Sequence, residues 1–264
     1  NSSLSSFWLV TIRDSFNQYS PSGICFETEQ AVNMLTITNN SVIFDALCIT
    51  FILKVVKNTI FMLSKNQIKL ISSLHQKKYR KEEQLFFVEG KKGVEELIAS
   101  SFELTKIYTT QENDFTHLKE LRTIVSASEI KKISALTTAS TCLAVFKIPQ
   151  KTTFATDGLL LALDDVRDPG NLGTIIRLCD WFGIKTLFCS KDTVDVYNPK
   201  VVMSTMGSLA RVQVVYFDLA EFISEYKKPI YGTFMDGENI YSSVLPNEGL
   251  IIMGNEANGI SKNT

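Results

Sequence analysis

Hydrophobic positions in the C-terminal half of the chain fall into short runs separated by helical spacing. The run from Leu159 to Leu163 is unbroken. Four similar runs follow, at 184–189, 212–216, 230–234 and 250–253. Amphipathic segments that fit helices lie between them, at 174–182, 198–209 and 219–226. An unbroken apolar run is typical of a strand buried on both faces, so the pattern predicts a doubly wound parallel α/β sheet.

Helical and extended patterns also alternate across residues 62–150, in shorter elements. Segments that fit helices lie at 62–75, 91–99 and 128–133. Apolar runs that fit strands lie at 85–88, 104–109, 123–125 and 142–148. Alternation of this kind predicts a small α/β sandwich ahead of the parallel sheet.

The N-terminal part of the chain has no clear period of either kind. Its apolar stretch at 42–61 is interrupted by three charged residues, so it is a poor candidate for a membrane span. The stretch also begins too far from the N-terminus for a secretory signal. The change of pattern at Met62 favours an extension upstream of a start at that residue, and a genuine appended segment is the alternative.

Charge is distributed unevenly, although the whole chain of 264 residues carries a net −1. Residues 1–61 carry a net −1, residues 62–150 a net +4 and residues 151–264 a net −4. A basic middle region beside an acidic C-terminal region indicates a module that faces a polyanion, joined to a second module. We therefore expect an extension followed by two folded regions.

Cysteine and histidine usage predicts neither a disulfide framework nor a metal site. The five cysteines form no Cys-x-x-Cys pair, their number is odd, and only two histidines are present. Reduced thiols favour a cytoplasmic protein.

A basic cluster with one aromatic residue occupies the start of the middle region and comprises Lys77, Lys78, Tyr79, Arg80 and Lys81. Its cations can hold an RNA phosphate backbone while the tyrosine ring stacks on an unpaired base. The alternative interpretation is a solvated loop that carries ordinary lysines.

Two polar, glycine-containing loops follow predicted strands of the parallel sheet, at the strand ends where such sheets bind ligands. Loop one is residues 164–173, with Arg177 one turn into the next helix, and loop two is residues 254–261. Taken alone, each is an ordinary βα turn. Neither is a dinucleotide fingerprint or a P-loop, because the required glycines and the Gly-Lys-Ser/Thr are missing. A nucleotide-dependent enzyme on a Rossmann sheet is therefore disfavoured.

Taken in order, the two loops resemble motifs one and two of the SpoU/TrmH family of RNA methyltransferases. Intervening segments at 198–200, 206–208 and 232–237 are also similar to that family. The basic cluster, followed by Phe86 to Gly90, resembles the family's substrate-binding domain, whose fold is similar to ribosomal protein L30e. The resemblance covers Met62 to the last residue.

The resemblance implies an α/β fold with an L30e-like sandwich at 62–150 and a SPOUT α/β-knot at 151–264, in which a parallel sheet carries a trefoil knot. It implies methyl transfer from S-adenosylmethionine to a ribose 2′-hydroxyl of ribosomal or transfer RNA. It also implies a homodimer, with no metal and no membrane. The alternative is a non-catalytic RNA-binding protein with an inactive methyltransferase domain.

The resemblance carries three catalytic residues over to this sequence. Arg177 matches the motif-one arginine that is implicated in activating the hydroxyl. A guanidinium is a poor base, so we expect it to hold the phosphate and hydroxyl in line, with transient deprotonation as the alternative. Asn171 would position RNA or tie the loop, and Glu256 would pair with Arg177 and orient it. A purely structural arginine paired with Asp180 or Asp165 is the competing interpretation.

The resemblance places the cofactor in a pocket of backbone groups within the knot. We expect Gly254 to let the backbone approach the adenosyl group, with Thr233, Gly207, Met253 and Ile260 lining the pocket. Members of the family continue past the last residue of this sequence with a third motif and a terminal helix. We therefore expect this chain to lack one wall of the pocket and part of the dimer interface.

Overall fold

A computed structural model describes residues 63–150, 153–154, 156–242, 247–262 and 264. All of these residues belong to one compact unit. The expected N-terminal extension, residues 1–61, lies outside the described residues. Within the part that is described, no helix is both long and apolar enough to cross a membrane.

The middle region is a four-stranded mixed sheet with helices on both faces. Its strands are β1 (Leu85–Glu89), β2 (Leu104–Thr109), β3 (Arg122–Ile124) and β4 (Cys142–Lys147). Its helices are α1 (Lys65–Ser73), α2 (Lys77–Glu83), α3 (Lys91–Ile98) and α4 (Ala127–Ile133), with a 3₁₀ turn at Thr116–Leu118. The strand order is β1-β4-β2-β3, in which β2 and β3 are parallel and the other pairs are antiparallel.

Alternate residues of β1 contribute to two separate cores. Phe87 packs on one face of the sheet with Ile71 of α1 and Ile130 of α4. Phe86 packs on the other face with Val94 of α3, in a core that continues into the C-terminal region. Because side chains alternate along a strand, this one strand joins the outer helices to the second region.

The C-terminal region is a five-stranded sheet in which all neighbouring strands are parallel. Its strands are β5 (Leu159–Leu163), β6 (Thr186–Ser190), β7 (Gln213–Phe217), β8 (Ile230–Gly232) and β9 (Gly249–Met253). Its helices are α5 (Pro169–Phe182), α6 (Pro199–Ser204) and α7 (Leu219–Glu225), with 3₁₀ turns at Ser208–Ala210 and Ile240–Ser242.

The strand order β7-β6-β5-β9-β8 places the ends of β5 and β9 side by side at a topological switch point. Strands β6 and β7 lie on one side of β5, whereas β9 and β8 lie on the other. Asp164, the first residue after β5, donates its backbone N–H to the carbonyl oxygen of Met253 at 2.8 Å. Loop one and loop two therefore leave the sheet next to each other, where open α/β sheets bind ligands.

The α/β architecture predicted from the sequence is confirmed, with three differences in the helices. The basic cluster lies on helix α2 and not on a loop. Helix α5 begins at Pro169, earlier than the predicted 174, because the Asp168 side chain caps it by accepting the N–H of Asn171 at 2.8 Å. Helix α6 ends early because Met206 and Gly207 adopt positive φ angles. The knot that the resemblance implies stays a prediction.

Candidate active site

Helix α5 carries the two candidate catalytic residues of motif one on one side. Asn171, Thr174 and Arg177 follow each other at intervals of three residues, so their side chains project from neighbouring positions of the helix. They line an open groove of about 590 Å³. The other lining residues come from the start of α5 and the end of α6 and beyond, and they are Gly170, Met203, Ser204 and Met206. The structure thus brings Asn171 and Arg177 together in one concave surface.

The groove depends on close packing of α5 against α6 at Gly173. A Cβ atom added to Gly173 would lie 2.3 Å from the Cβ of Ser204, well inside van der Waals contact. Asn198 starts α6 by accepting the N–H of Lys200 on its side chain at 2.9 Å. From the sequence alone, Gly173 is interpreted only as part of a turn. Its contact with α6 was missed, because the spacing within loop one contains no sign of the partner helix.

Arg177 is exposed and has no carboxylate partner within the described residues. Asp180 pairs with Arg211, whose Nη2 lies 2.8 Å from Oδ2 of Asp180, and Asp165 pairs with Arg167 at 2.7 Å. The hydrogen bond from Arg211 holds the pKa of Asp180 below its ordinary value. The competing interpretation, in which Arg177 pairs with Asp180 or Asp165, is therefore wrong. The Arg177 guanidinium is available for an anionic ligand.

Glu256 lies exposed on loop two, and no ion pair joins it to Arg177 in the described part of the chain. Its neighbour Asn255 contacts loop one instead. The Asn255 side-chain amide donates to the backbone oxygen of Asp165 at 2.8 Å. The structure thus brings Asn171 and Arg177 together and does not pair Glu256 with Arg177.

Two residues that the sequence analysis missed, Asn255 and Asp164, tie the two loops together. The Oδ1 atom of Asn255 accepts two backbone N–H groups of its own loop while its amide reaches across to loop one. The buried carboxylate of Asp164 accepts the N–H of Ser261 at 2.7 Å. Their only signal in the sequence is position, because each is a polar residue at or just beyond the end of a buried strand.

Three of the five predicted cofactor residues lie around the carboxyl ends of β8 and β9. Thr233 donates its backbone N–H to the oxygen of Ile252 at 3.0 Å. Met253 is partly exposed at the end of β9, and Ile260 of loop two packs beside Gly232. This end of the sheet therefore offers a hydroxyl group and apolar atoms next to the backbone of loop two. That combination suits a flat apolar ligand with polar edges.

The other two predicted cofactor residues are glycines for reasons internal to the fold. A Cβ at Gly254 would lie 2.1 Å from the carbonyl carbon of Gly259, so a glycine here lets loop two fold on itself, and contact of its backbone with the adenosyl group stays a prediction. Gly207 has a φ of 96° and faces the middle region, where an added Cβ would lie 2.8 Å from Cγ of Glu96. On the side where a Cβ would lie, Gly207 packs against Glu96, and its place in the cofactor pocket stays a prediction.

Helix α2 presents most of the basic cluster to solvent but buries Arg80. Lys77, Lys78 and Lys81 are exposed, and Tyr79 is half-buried. Arg80 is only 2% exposed, and its guanidinium donates to a carboxylate of the C-terminal region and to two backbone carbonyls before α2. The prediction that Arg80 contacts RNA is wrong, because its donors are already committed inside the protein.

An exposed apolar patch lies beside Arg177 on α5. Its members Leu178, Trp181 and Phe182 are 50%, 84% and 73% exposed. They border a second shallow depression that Arg177 and Thr174 also line. Exposed aromatic residues that cluster in this way mark an interaction surface.

The described cysteines, Cys142, Cys179 and Cys189, are buried and unbonded. Burial raises the pKa of Cys142 and Cys179 to about 11, so both remain protonated at neutral pH and are poor nucleophiles. Among the residues with a described position, no group of His, Cys, Asp and Glu could hold a metal ion.

Comparison with protein families finds two matches in tandem. Residues 65–144 match the MRM3-like substrate binding domain, and residues 158–264 match the SpoU rRNA Methylase family. The first match contains the basic cluster, and the second contains both loops and the groove.

The chain is also similar to individual proteins along most of its length. It is 30% identical over 207 residues to the 23S rRNA (guanosine(2553)-2′-O)-methyltransferase RlmP of Bacillus subtilis (strain 168), which covers 75% of this chain and 82% of that protein. A structure described as an RNA methyltransferase of the TrmH family from Porphyromonas gingivalis gives a TM-score of 0.68 at 37% identity, over 76% of this chain and 84% of the other. The AdoMet-bound rRNA methyltransferase from Sinorhizobium meliloti gives a TM-score of 0.67 at 25% identity, over 76% and 82%.

Proposed function

The chain belongs to the SpoU rRNA methylase family, and on this premise we propose that it methylates a ribose 2′-hydroxyl of ribosomal RNA with S-adenosylmethionine as methyl donor. The observation that carries the proposal is the groove in which Asn171 and the unpaired Arg177 follow the switch-point loop. Transfer RNA, the other substrate expected from the sequence, has less support, because RlmP and the Sinorhizobium meliloti protein are both named for ribosomal RNA.

The carboxyl ends of β8 and β9 fit S-adenosylmethionine. Met253 and Ile260 would contact its apolar surface, while Thr233 and backbone groups of loop two would take its polar edges. When bound, the cofactor supplies a methyl group on a positively charged sulfur, which is already activated for transfer. The task of the chain's own residues is therefore alignment of the donor with the ribose.

Arg177 acts by position and charge in this proposal. A guanidinium is a poor general base, so Arg177 binds an anion in this proposal and does not take up the hydroxyl proton. Its unpaired N–H groups hold the phosphate next to the target ribose and stabilise negative charge on the 2′-oxygen as the hydroxyl proton passes to solvent. Asn171 offers a neutral donor and acceptor to the same nucleotide.

The exposed side of helix α2 holds the RNA. Lys77, Lys78 and Lys81 contact the phosphate backbone, and the ring of Tyr79 is available for stacking. This assignment is supported by the net +4 of residues 62–150 and by the match of residues 65–144 to a substrate binding domain.

The apolar patch on α5 supports a homodimer. Pairing of two copies through Leu178, Trp181 and Phe182 would remove these side chains from water and bring the interface close to Arg177. A Trp181→Glu variant should sediment as a monomer, and an unchanged dimer would contradict the assignment. The compartment we propose is the cytoplasm, because buried free thiols suit a reducing environment.

The decisive experiment is transfer of labelled methyl groups from S-adenosylmethionine to ribosomal RNA, with the product mapped as an alkali-resistant linkage. Wild-type protein should transfer methyl groups, and Arg177→Ala should transfer them about 100- to 1000-fold more slowly. Lys119→Ala, which changes an exposed lysine of the middle region, should match the wild type. If wild-type protein binds RNA yet transfers nothing, the non-catalytic RNA-binding function replaces this proposal.

A further inference from the structure

Helix α2, which carries the proposed RNA-binding lysines, is anchored to the C-terminal region through a buried arginine. We propose that Arg80 and Asp195 form a positioning pair that fixes α2 relative to Arg177 and thereby selects which nucleotide of a bound RNA reaches the groove. The inference rests on the proposed function, because it assigns a geometric role within that reaction.

The pair is enclosed and its hydrogen bonds are nearly complete. The side chains of Arg80 and Asp195 are 3% and 17% exposed. The Nε and Nη2 atoms of Arg80 donate to Oδ2 of Asp195 at 3.1 and 2.6 Å. Its Nη1 atom donates to the backbone oxygens of Leu74 and His75 at 2.8 and 3.0 Å. Arg80 therefore fastens the turn that begins α2 and the C-terminal region with the same side chain.

The segment that holds Asp195 leads directly to the groove. Asp195 lies between β6 and α6, and its backbone oxygen accepts the N–H of Asn198 at 2.9 Å. Its Oδ1 atom accepts the N–H of Tyr197 at 3.2 Å. Asn198 caps α6, whose Met203 and Ser204 form one wall of the groove. The route from the RNA-binding helix to the wall opposite Arg177 thus runs through one ion pair and one short helix.

Further contacts hold the same regions together. The rings of Phe86 and Tyr197 lie 4.7 Å apart between centroids. Arg211 bonds Glu96 of α3 and Asp180 of α5 at once, and Gly207 packs against the Glu96 side chain. An interface that is held at separate places resists rotation about any single one of them.

A buried ion pair is suited to fixing orientation more than to adding stability. Removing two charges from water costs about as much free energy as their attraction returns, so the net contribution to stability is small. Any other arrangement of the two regions would leave one buried charge unpaired, which is strongly unfavourable. The pair therefore penalises misorientation. Reacting atoms displaced by about 1 Å can lose about 100-fold in rate, so orientation between the two regions reaches the chemistry.

The test uses Arg80→Met and Asp195→Asn, which remove one charge each, and the double exchange Arg80→Asp/Asp195→Arg. The matched control is Arg122→Met, because Arg122 binds only the backbone oxygens of Glu112 and Asp114 inside the middle region by its described hydrogen bonds. The full chain is assayed for cofactor binding, RNA affinity, single-turnover methylation rate and the position of the methyl group on the RNA. Melting temperatures identify any variant that fails to fold.

Each single variant should bind cofactor and RNA within about twofold of wild type, methylate about 10- to 100-fold more slowly, and modify neighbouring nucleotides. The charge exchange should recover part of the rate and the single position. The proposal is overturned if the singles keep the wild-type rate and position, or if Arg122→Met matches their losses. It is also overturned if rate falls only in proportion to thermal stability with the position unchanged.

A distance measurement separates this proposal from the methyltransferase assignment. Spin labels at Lys69→Cys on α1 and Lys185→Cys before β6 occupy exposed sites in the two regions. The distance distribution should be narrow in otherwise wild-type protein and broader in Arg80→Met. An equally narrow distribution refutes the positioning pair. If the distribution broadens in Arg80→Met but the wild-type chain transfers no methyl group, only the proposed function is refuted.

Discussion

The two regions of the molecule treat charged side chains in opposite ways. In the middle region Arg80, Glu89 and Glu129 are buried, and each is matched by protein donors or acceptors. Glu89 accepts the hydroxyl of Ser134, and Glu129 accepts the backbone N–H of Leu63 at 2.7 Å. These buried charges connect loops and helix starts to the sheet, so they maintain shape.

The C-terminal region has one buried carboxylate of this kind among its described residues, Asp164, and it keeps its most important cation in the open. Arg177 lies exposed in a groove with no carboxylate partner in the described structure. Arg80 and Arg177 therefore represent two uses of the same side chain. A buried arginine whose side-chain nitrogens all donate to protein acceptors fixes geometry. An exposed arginine whose donors are free can bind an anion.

The variant Arg177→Ala tests the functional side of this contrast and should give the largest effect. Loss of the guanidinium that stabilises developing charge should slow methyl transfer by about 100- to 1000-fold. Stability should change by less than about 0.5 kcal/mol, because Arg177 holds no other side chain in place among the described residues. Single-turnover rates and thermal melting measure the two quantities. A loss of stability as large as that of Arg80→Met would remove the distinction between the two arginines.

The variant Gly173→Ala tests whether the groove depends on close helix packing. The added Cβ collides with Ser204, so the free energy of unfolding should fall by about 1–3 kcal/mol. The matched control is Thr174→Ala, which changes an exposed neighbour in the same helix. Urea unfolding of both variants measures the difference. Equal stabilities would mean that α5 and α6 have room to separate without cost.

The triple variant Lys77→Ala/Lys78→Ala/Lys81→Ala tests the exposed charges of the middle region. RNA affinity should fall about tenfold, and the dependence of log affinity on log salt should become shallower by about 0.7 for each phosphate that the variant no longer neutralises. The triple variant Lys119→Ala/Lys132→Ala/Lys185→Ala removes the same number of positive charges at other exposed sites and controls for net charge. Filter binding across a salt series gives both numbers. An unchanged salt dependence would mean that the RNA binds to a surface other than α2.

The smallest expected effect concerns the exposed pair of Asp180 and Arg211. Because the hydrogen bond from Arg211 lowers the pKa of Asp180, the pair's stabilisation is complete above the ordinary aspartate pKa of about 3.9 and is lost as pH falls through the lowered value. Melting temperature should therefore drop more steeply below about pH 4 in wild type than in Asp180→Asn. If the melting temperatures of the two proteins change with pH in the same way, the pair of Asp180 and Arg211 contributes nothing to stability.

The sequence predicted the strands well, because burial leaves a direct trace in the order of residues. The unbroken run Leu159–Leu163 and the segment Leu104–Thr109 match β5 and β2 at both ends. The start of α5 was misjudged because Pro169 and Gly170 are also typical of turns. Only the capping bond from Asn171 to Asp168 distinguishes a helix start from a loop at that place.

The candidate site was predictable where a motif carried it and unpredictable where distant residues decided it. Asn171 and Arg177 were found because they lie on one helix within a recognisable motif. The burial of Arg80 was not predictable, because its partner Asp195 is 115 positions away and no local pattern distinguishes Arg80 from the lysines beside it. The contact of Gly207 with Glu96 was not predictable for the same reason, since Glu96 belongs to the other region.

The alternation of Phe86 and Phe87 along β1 limits how the middle region can be exchanged between related proteins. If the middle region were moved to a related protein by a junction at residue 150, the core around Phe87, with α1 and α4, would stay intact. Phe86 would then face the C-terminal region of another protein. Transplants should succeed only when the segment containing Tyr197 and Asp195 travels with the module. We therefore expect RNA specificity in related proteins to change through paired substitutions, one in the middle region and one in the C-terminal region.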